Sequence, residues 1–152
     1  MGEASSVGEV IELAIRREVQ AAEFYTTLAR RVSDTQMRGL FERLALEELE
    51  HKAKLELEMI KEGFVARTVG RLIDVDLPDY VSELEIGPEV EYKDILTLAI
   101  RKERRSFRLY VQLASLASEE PVREALMELA EEEARHLVQV EAEYNRLMSK
   151  PE

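Results

Sequence analysis

The sequence predicts an all-α protein: an antiparallel four-helix bundle made of two repeated helical hairpins joined by one long crossover. Three observations predict this fold. Four long segments carry apolar residues at helical spacing. The first two segments are separated by only a residue or two, as are the last two, whereas the middle connection is long. The second pair of segments also repeats the first pair at an offset of 85 residues.

The predicted helices cover residues 7–32, 34–62, 92–117 and 119–148. Their apolar faces include Ile11, Ile15, Ala22 and Leu28, then Leu40, Leu44 and Leu55, then Leu96, Ile100, Phe107 and Leu113, then Leu126, Leu129 and Val140. Ser33 or Asp34 can cap the second helix and Ser118 the fourth. Gly63 can end the second helix, and Pro121 is tolerated in the first turn of the fourth.

The short connections require each pair of helices to form an antiparallel hairpin. Residues 64–91 form the long crossover linker of what we expect to be a single domain, 1–152. A helix of about 28 residues is about 42 Å long, and extended chain spans up to about 3.3–3.6 Å per residue. The linker can therefore run the length of the bundle and place the third helix parallel to the second.

The internal repeat is most exact where charged residues interrupt the apolar faces. Leu13-Ala14-Ile15-Arg16-Arg17-Glu18 matches Leu98-Ala99-Ile100-Arg101-Lys102-Glu103, and a tyrosine follows each Glu by seven residues. In the second helix of each half, Glu47-Glu48 aligns with Glu132-Glu133 and His51 aligns with His136. These are the two histidines of the chain, so the repeat predicts two hairpins related by a pseudo-twofold axis.

Each helix turns a carboxylate toward the core near its middle, and two helices add a histidine. Such a buried carboxylate pairs, takes up a proton or binds a metal, because an uncompensated charge is costly to bury. A Glu from each of two helices plus Glu-x-x-His from each of the other two is a ligand set for two metal ions. The predicted ligands are Glu18, Glu48, His51, Glu103, Glu133 and His136.

Oxygen-rich ligation with one imidazole per ion suits two Fe ions, with Mn or Zn as possible substitutes. A bundle whose carboxylates are held in salt bridges is the alternative, since basic residues are plentiful. Tyr25 and Tyr110 are either core aromatics or hydrogen-bond donors to ligand carboxylates. Glu47 and Glu132 lie off the centre of the apolar stripe, and we interpret them as surface or interhelical charges.

Composition excludes several classes of protein. A formal net charge of -11 disfavours nucleic acid and anionic membranes as partners. The chain has no cysteine, which excludes disulfides, thiolate metal sites and a rubredoxin-type iron centre. No apolar run approaches the roughly 20 residues that a membrane helix needs. We expect a cytoplasmic protein.

With these motifs in place, the chain resembles the rubrerythrin branch of the ferritin-like di-iron carboxylate superfamily. The resemblance rests on Glu18 with Tyr25, Glu48-Leu49-Glu50-His51, Glu103 with Tyr110, and Glu133-Ala134-Arg135-His136. It implies that Glu48 and Glu133 bridge the metals, that Glu18 and Glu103 are terminal ligands, and that each histidine binds one ion. A homodimer is also expected by resemblance.

Departures from the family's pattern limit what the resemblance implies. Rubrerythrins carry a further ligand Glu one turn after the third-helix Glu, where this chain has Ser106. Bacterioferritins place a haem-ligating Met directly after the second-helix Glu, where this chain has Leu49, so we expect no haem.

Two functions follow from the resemblance. The first is an oxidoreductase of peroxidase or ferroxidase type that reduces H2O2 or O2 as Fe(II) is oxidised, with an external protein as electron donor and a role in oxidative stress. The alternative is iron binding, detoxification or storage without sustained turnover.

Overall fold

The computed structural model describes residues 7–61 and 91–149, which form four α-helices. Helix α1 covers Val7–Arg31, α2 Thr35–Lys61, α3 Tyr92–Leu116 and α4 Glu120–Met148. The predicted ends each lie within one residue of these bounds. The described residues contain no strand, and the predicted all-α four-helix bundle is confirmed. No described helix is long and apolar enough to cross a membrane.

The helices pack as two hairpins laid against each other. Contacts are most extensive between α1 and α2 and between α3 and α4. Between hairpins, Tyr25 of α1 meets Glu103 of α3 while Tyr110 meets Glu18, so these helices are antiparallel. Because α1 is antiparallel to both α2 and α3, α2 and α3 run parallel, as predicted. The crossover predicted over 64–91 lies outside the described residues except for Glu91.

The helix starts follow local signals in part. Asp34 caps α2, since its Oδ1 accepts a hydrogen bond from the backbone N–H of Met37 at 2.9 Å. The prediction that Ser118 caps the fourth helix is wrong: the N-cap residue is Glu119, whose side chain makes no capping bond. Pro121 lies in the first turn of α4, as predicted. Gly63 lies outside the described residues.

Two apolar clusters fill the ends of the bundle. One contains Phe24, Leu28, Phe41, Leu44 and Leu96, and the other contains Ile11, Leu13, Leu55, Leu113 and Leu126. All of these side chains are buried. The clusters hold the helices rigidly on both sides of the bundle's middle, where charged side chains are buried instead.

The buried face of α3 differs from the predicted one at a single large residue. Phe107, predicted to face the core, is 38% exposed. The buried positions beside it are Ser106 and Leu109. A small polar residue thus takes the interior position next to the charged layer.

Candidate dimetal centre

A layer of charged side chains separates the two apolar clusters, and it contains all six predicted ligands. Glu18, Glu48, Glu103 and Glu133 are 0% exposed, His51 is 3% exposed and His136 is 1% exposed. Within each half, the i, i+3 spacing places the histidine ring beside the glutamate of its own helix, with Nδ1–Oε1 distances of 3.2 Å for His51–Glu48 and 3.3 Å for His136–Glu133. The repeated register therefore brings four helices together at one layer.

The six residues form two overlapping groups, each able to hold one metal ion. Glu18, Glu48, His51 and Glu133 form the first group, and Glu48, Glu103, Glu133 and His136 form the second. Within each group the ligand atoms lie within 4.8 Å of one another. Glu48 and Glu133 belong to both groups, which is the arrangement needed for carboxylates that bridge two ions.

Both histidines point the same nitrogen at the carboxylates. His51 Nδ1 lies 3.5 Å from Glu18 Oε1, 3.2 Å from Glu48 Oε1 and 3.3 Å from Glu133 Oε2. His136 Nδ1 lies 3.3 Å from Glu133 Oε1 and 3.7–3.8 Å from oxygens of Glu48 and Glu103. The two rings stack with their centroids 5.7 Å apart. Nδ1 is therefore the nitrogen available to a metal in each group.

The opposite ring nitrogens meet carboxylates of the neighbouring hairpin. His136 Nε2 lies 2.8 Å from Glu47 Oε1, and His51 Nε2 lies 3.9 Å from Glu132 Oε1. A carboxylate on the second nitrogen fixes the ring and its tautomer for metal binding through the first. Glu47 and Glu132, predicted as surface or interhelical charges, are half-buried between helices; Glu47 contacts the His136 ring, whereas Glu132 lies beyond hydrogen-bond distance of the His51 ring.

Several buried atoms of this layer lack a hydrogen-bond partner among the described residues. They are Glu18 Oε1, Glu48 Oε2, Glu103 Oε1, His51 Nδ1 and His136 Nδ1. Buried polar groups are rarely left without a partner, and each exception calls for a physical reason. All five atoms belong to the predicted ligands and face one another, so the residues fit the requirements of two bound cations.

The tyrosines bond to carboxylates crosswise. The Tyr25 hydroxyl donates to Glu103 Oε2, and the Tyr110 hydroxyl donates to Glu18 Oε2. Each tyrosine thus serves the glutamate of the other half rather than that of its own helix. Both rings are completely buried, so these bonds fix the orientation of two predicted terminal ligands.

The layer also contains a cation that sequence reasoning missed. Arg17 is 0% exposed, and its Nη1 lies 3.1 Å from Glu18 Oε2, 3.1 Å from Glu48 Oε1 and 2.9 Å from Glu133 Oε2. Its Nη2 donates to Glu133 Oε1 at 3.0 Å and its Nε donates to Ser106 Oγ at 2.9 Å. Arg17 is spaced by four and seven residues from the buried apolar residues on both sides of it, so helical periodicity could have indicated its burial; these residues are Val10, Leu13, Ala21 and Phe24.

The four buried carboxyl groups of the layer are of two types, two with raised pKa values and two with lowered ones. Burial, reinforced by Glu48, raises the pKa of Glu18 to about 8. Burial, reinforced by Glu133 and Glu48, raises the pKa of Glu103 well above its usual value. Burial also opposes ionisation of Glu48 and Glu133, but Arg17 and the histidines outweigh it and lower both pKa values. The two shared carboxylates therefore stay ionised.

The carboxylates around the two histidines raise the pKa of both rings. Burial lowers the pKa of each ring, but the surrounding carboxylates outweigh it and raise the pKa of His51 to about 11 and that of His136 to about 12. Binding of a divalent cation has the opposite requirement, because a ligating imidazole is neutral and a ligating carboxyl is ionised. A metal would thus displace protons from this layer.

Fold and layer together place the chain in the ferritin-like class of four-helix bundles. The rubrerythrin family model matches residues 9–89, more than half of the 152-residue chain. The chain therefore belongs to the rubrerythrin family, as the sequence motifs predicted. No curated protein matches the chain.

Three solved structures resemble the whole chain. A hypothetical protein from Pyrococcus furiosus is 26% identical with a TM-score of 0.73, the match covering 94% of this chain and 90% of that one. A putative ferritin-like diiron-carboxylate protein from Thermotoga maritima is 21% identical with a TM-score of 0.74, covering 95% and 98%. The bacterioferritin-related protein of Bacteroides fragilis, a dodecameric thioferritin, is 16% identical with a TM-score of 0.64, covering 96% and 90%. The last two likenesses show the fold alone.

Proposed function

We propose that the protein is a non-haem dimetal carboxylate oxidoreductase that binds two Fe ions and reduces H2O2 or O2 as Fe(II) is oxidised. The observation that carries the proposal is the pair of overlapping carboxylate–histidine groups, whose buried ligand atoms lack hydrogen-bond partners. Family membership and the likeness to a protein described as diiron-carboxylate support it.

The ligand roles follow from the two groups. Glu48 and Glu133 would bridge the ions because both belong to each group. Glu18 with His51 would complete one position, and Glu103 with His136 the other, with Nδ1 as the ligating nitrogen of both rings. When bound, the ions would supply the two electrons that peroxide reduction requires.

The remaining residues of the layer would position the ligands. Tyr25 and Tyr110 hold the outer carboxylates, and Glu47 holds the His136 ring. The apolar clusters on both sides would exclude water.

A surface groove between α2 and α4 is lined by Glu132, Leu55 and Leu129. The Oε1 atom of Glu132 lies 3.9 Å from Nε2 of His51. This groove would give a small oxidant a route toward the layer.

The electrons would come from outside the chain. With no cysteine, the chain cannot form a rubredoxin-type iron centre that would relay electrons to the site. Sustained turnover would therefore need an external electron donor protein. We propose a homodimer as the assembly, to be tested by light scattering.

Iron binding or detoxification without sustained turnover is the second candidate. The net charge of -11 favours it because an acidic surface attracts cations. The two functions differ in whether reductant restores reactivity. A single oxidation per loaded site with an added reductant present would support detoxification.

The test is the rate of Fe(II) oxidation by H2O2 or O2 in the Fe(II)-loaded chain. Anaerobically loaded protein is mixed with H2O2 or O2, and Fe(II) oxidation is followed with and without a chemical reductant. The Glu48→Ala, His51→Ala double variant is the control. The oxidoreductase proposal predicts oxidation well above that of the control, with many turnovers when reductant is supplied. Oxidation no faster than that of Fe(II) in buffer would overturn it.

A further inference from the structure

Arg17 interacts with the two metal-binding groups unequally. Its Nη1 lies within 3.1 Å of an oxygen from Glu18, Glu48 and Glu133, which are the three carboxylates of the His51 group. Two of these, Glu48 and Glu133, also belong to the His136 group, where Nη2 donates to Glu133 Oε1 at 3.0 Å and lies 3.7 Å from Glu103 Oε1, which is beyond hydrogen-bond distance. The guanidinium thus makes three close contacts to oxygens on the His51 side of the layer and one on the His136 side.

His51 and Arg17 approach the same oxygens. Glu48 Oε1 is 3.1 Å from Arg17 Nη1 and 3.2 Å from His51 Nδ1, while Glu133 Oε2 is 2.9 Å from Nη1 and 3.3 Å from Nδ1. A metal ion held by this group would need the same oxygens and the same nitrogen. The guanidinium and such an ion are therefore competitors.

The internal repeat is not exact at Arg17 and at the residue that holds its side chain, Ser106. At the offset of 85 residues, Arg17 corresponds to Lys102 and Ala21 corresponds to Ser106. Arg17 Nε donates to Ser106 Oγ at 2.9 Å, so the two substituted positions contact each other. Lys102 is equally buried, and its ammonium lies 5.8 Å from the centre of the Phe24 ring. The contact between Arg17 and Ser106 therefore has no equivalent in the repeat, where the corresponding residues are Lys102 and Ala21.

We propose that Arg17 is an internal counter-cation that closes the His51 position of the metal-free protein and makes the two metal positions unequal. This inference rests on the proposed dimetal function. The His136 position fills first because filling it displaces only the Nη2 contact with Glu133, whereas filling the His51 position requires Nη1 to withdraw from its three carboxylates. The Ser106 hydroxyl and the Tyr110 ring, whose centre is 5.6 Å from the guanidinium carbon, retain the side chain as it withdraws.

The test is anaerobic Co(II) titration of the metal-free full chain, followed by visible absorption. The wild-type chain should bind two ions in two steps whose affinities differ by at least about tenfold, the separation expected from about one charge-assisted contact. Arg17→Gln should tighten the second step about tenfold or more and bring the two steps within about threefold. Lys102→Gln, the control at the repeated position, should leave the separation of the steps unchanged.

Two further variants keep the test decisive if the metal-free Arg17→Gln chain folds poorly. In the wild-type background, His51→Gln should remove the weaker step and His136→Gln the tighter one. Two equal steps in the wild type, an unchanged separation in Arg17→Gln, or loss of the tight step in His51→Gln would each overturn the inference while leaving the dimetal proposal standing. No Co(II) binding by any chain would overturn both.

Discussion

The contact between Glu47 and His136 provides a direct test of how the histidines are prepared for metal binding. Glu47→Ala removes the carboxylate that lies 2.8 Å from His136 Nε2. Its counterpart in the repeat, Glu132→Ala, removes a carboxylate that lies 3.9 Å from His51 Nε2. The two glutamates are matched in exposure, at 32% and 31%. The pair of variants therefore compares one short contact with one long one at nearly equal burial.

The difference in distance sets the expected magnitude. Loss of a residue that holds a ligating histidine typically costs 10–100-fold in metal affinity, or about 1.4–2.7 kcal/mol. We expect Glu47→Ala to fall in this range. A separation of 3.9 Å is beyond hydrogen-bond distance, and Glu132 also pairs with Arg135 at 3.3 Å. Glu132→Ala should therefore cost less than about threefold.

The assay is competition for Co(II) between each variant and a chromophoric chelator. Glu47→Gln is the matched control, since its amide oxygen can still accept the His136 N–H, and it should retain most of the affinity. Equal losses from Glu47→Ala and Glu132→Ala, or no loss from either, would refute the reasoning that the short contact orients the His136 ring.

Three other outcomes follow from the layer and the core. The pKa of Glu18 is raised from 4.5 to about 8 in the folded metal-free chain, so the folded chain holds more protons than the unfolded chain between these two pH values. The free energy of unfolding, measured by urea denaturation, should therefore fall toward pH 8 by about 1.4 kcal/mol per pH unit for each retained proton. A free energy of unfolding that rises over this window would contradict the assignment. Tyr110→Phe removes the hydrogen bond to Glu18 and should weaken Co(II) binding about tenfold, whereas Tyr144→Phe, at a half-buried position, should not; equal affinities for the two variants would count against the tyrosine's role. Leu28→Ala, at a fully buried position of one apolar cluster, should lower the free energy of unfolding of the loaded protein by about 2–5 kcal/mol in urea denaturation and leave the metal stoichiometry unchanged. A loss of bound metal would show that the cluster and the layer are not separable.

Much of the fold could be predicted because local and repeated signals agree. Apolar periodicity, short connections and the 85-residue repeat each indicate two antiparallel hairpins. The Ser118 prediction failed because an available capping side chain does not decide which residue begins the helix, and α4 begins one residue later. The Phe107 prediction failed because the buried face of α3 is centred on Glu103, Ser106 and Tyr110, which leaves Phe107 at its edge.

The six residues of the candidate site could be predicted from the sequence, but the residues that contact them could not. Glu-x-x-His spacing and carboxylates on apolar faces identify the six residues within single helices. Which nitrogen of each histidine faces the layer, and that Glu47 reaches His136, depend on how two hairpins meet. The same holds for the crosswise tyrosine bonds and for the partners of Arg17, which contacts residues from three other helices.

The central claim is that these six residues hold two metal ions, and anaerobic Fe(II) titration of the metal-free protein tests it most directly. Metal analysis of the desalted sample should give about two irons per chain, one for each carboxylate–histidine group, and the Glu48→Ala, His51→Ala variant should lose most of this iron. Little retained iron in the wild-type chain, or an unchanged content in the variant, would contradict the account and leave Arg17 as the permanent counter-ion of a structural carboxylate layer.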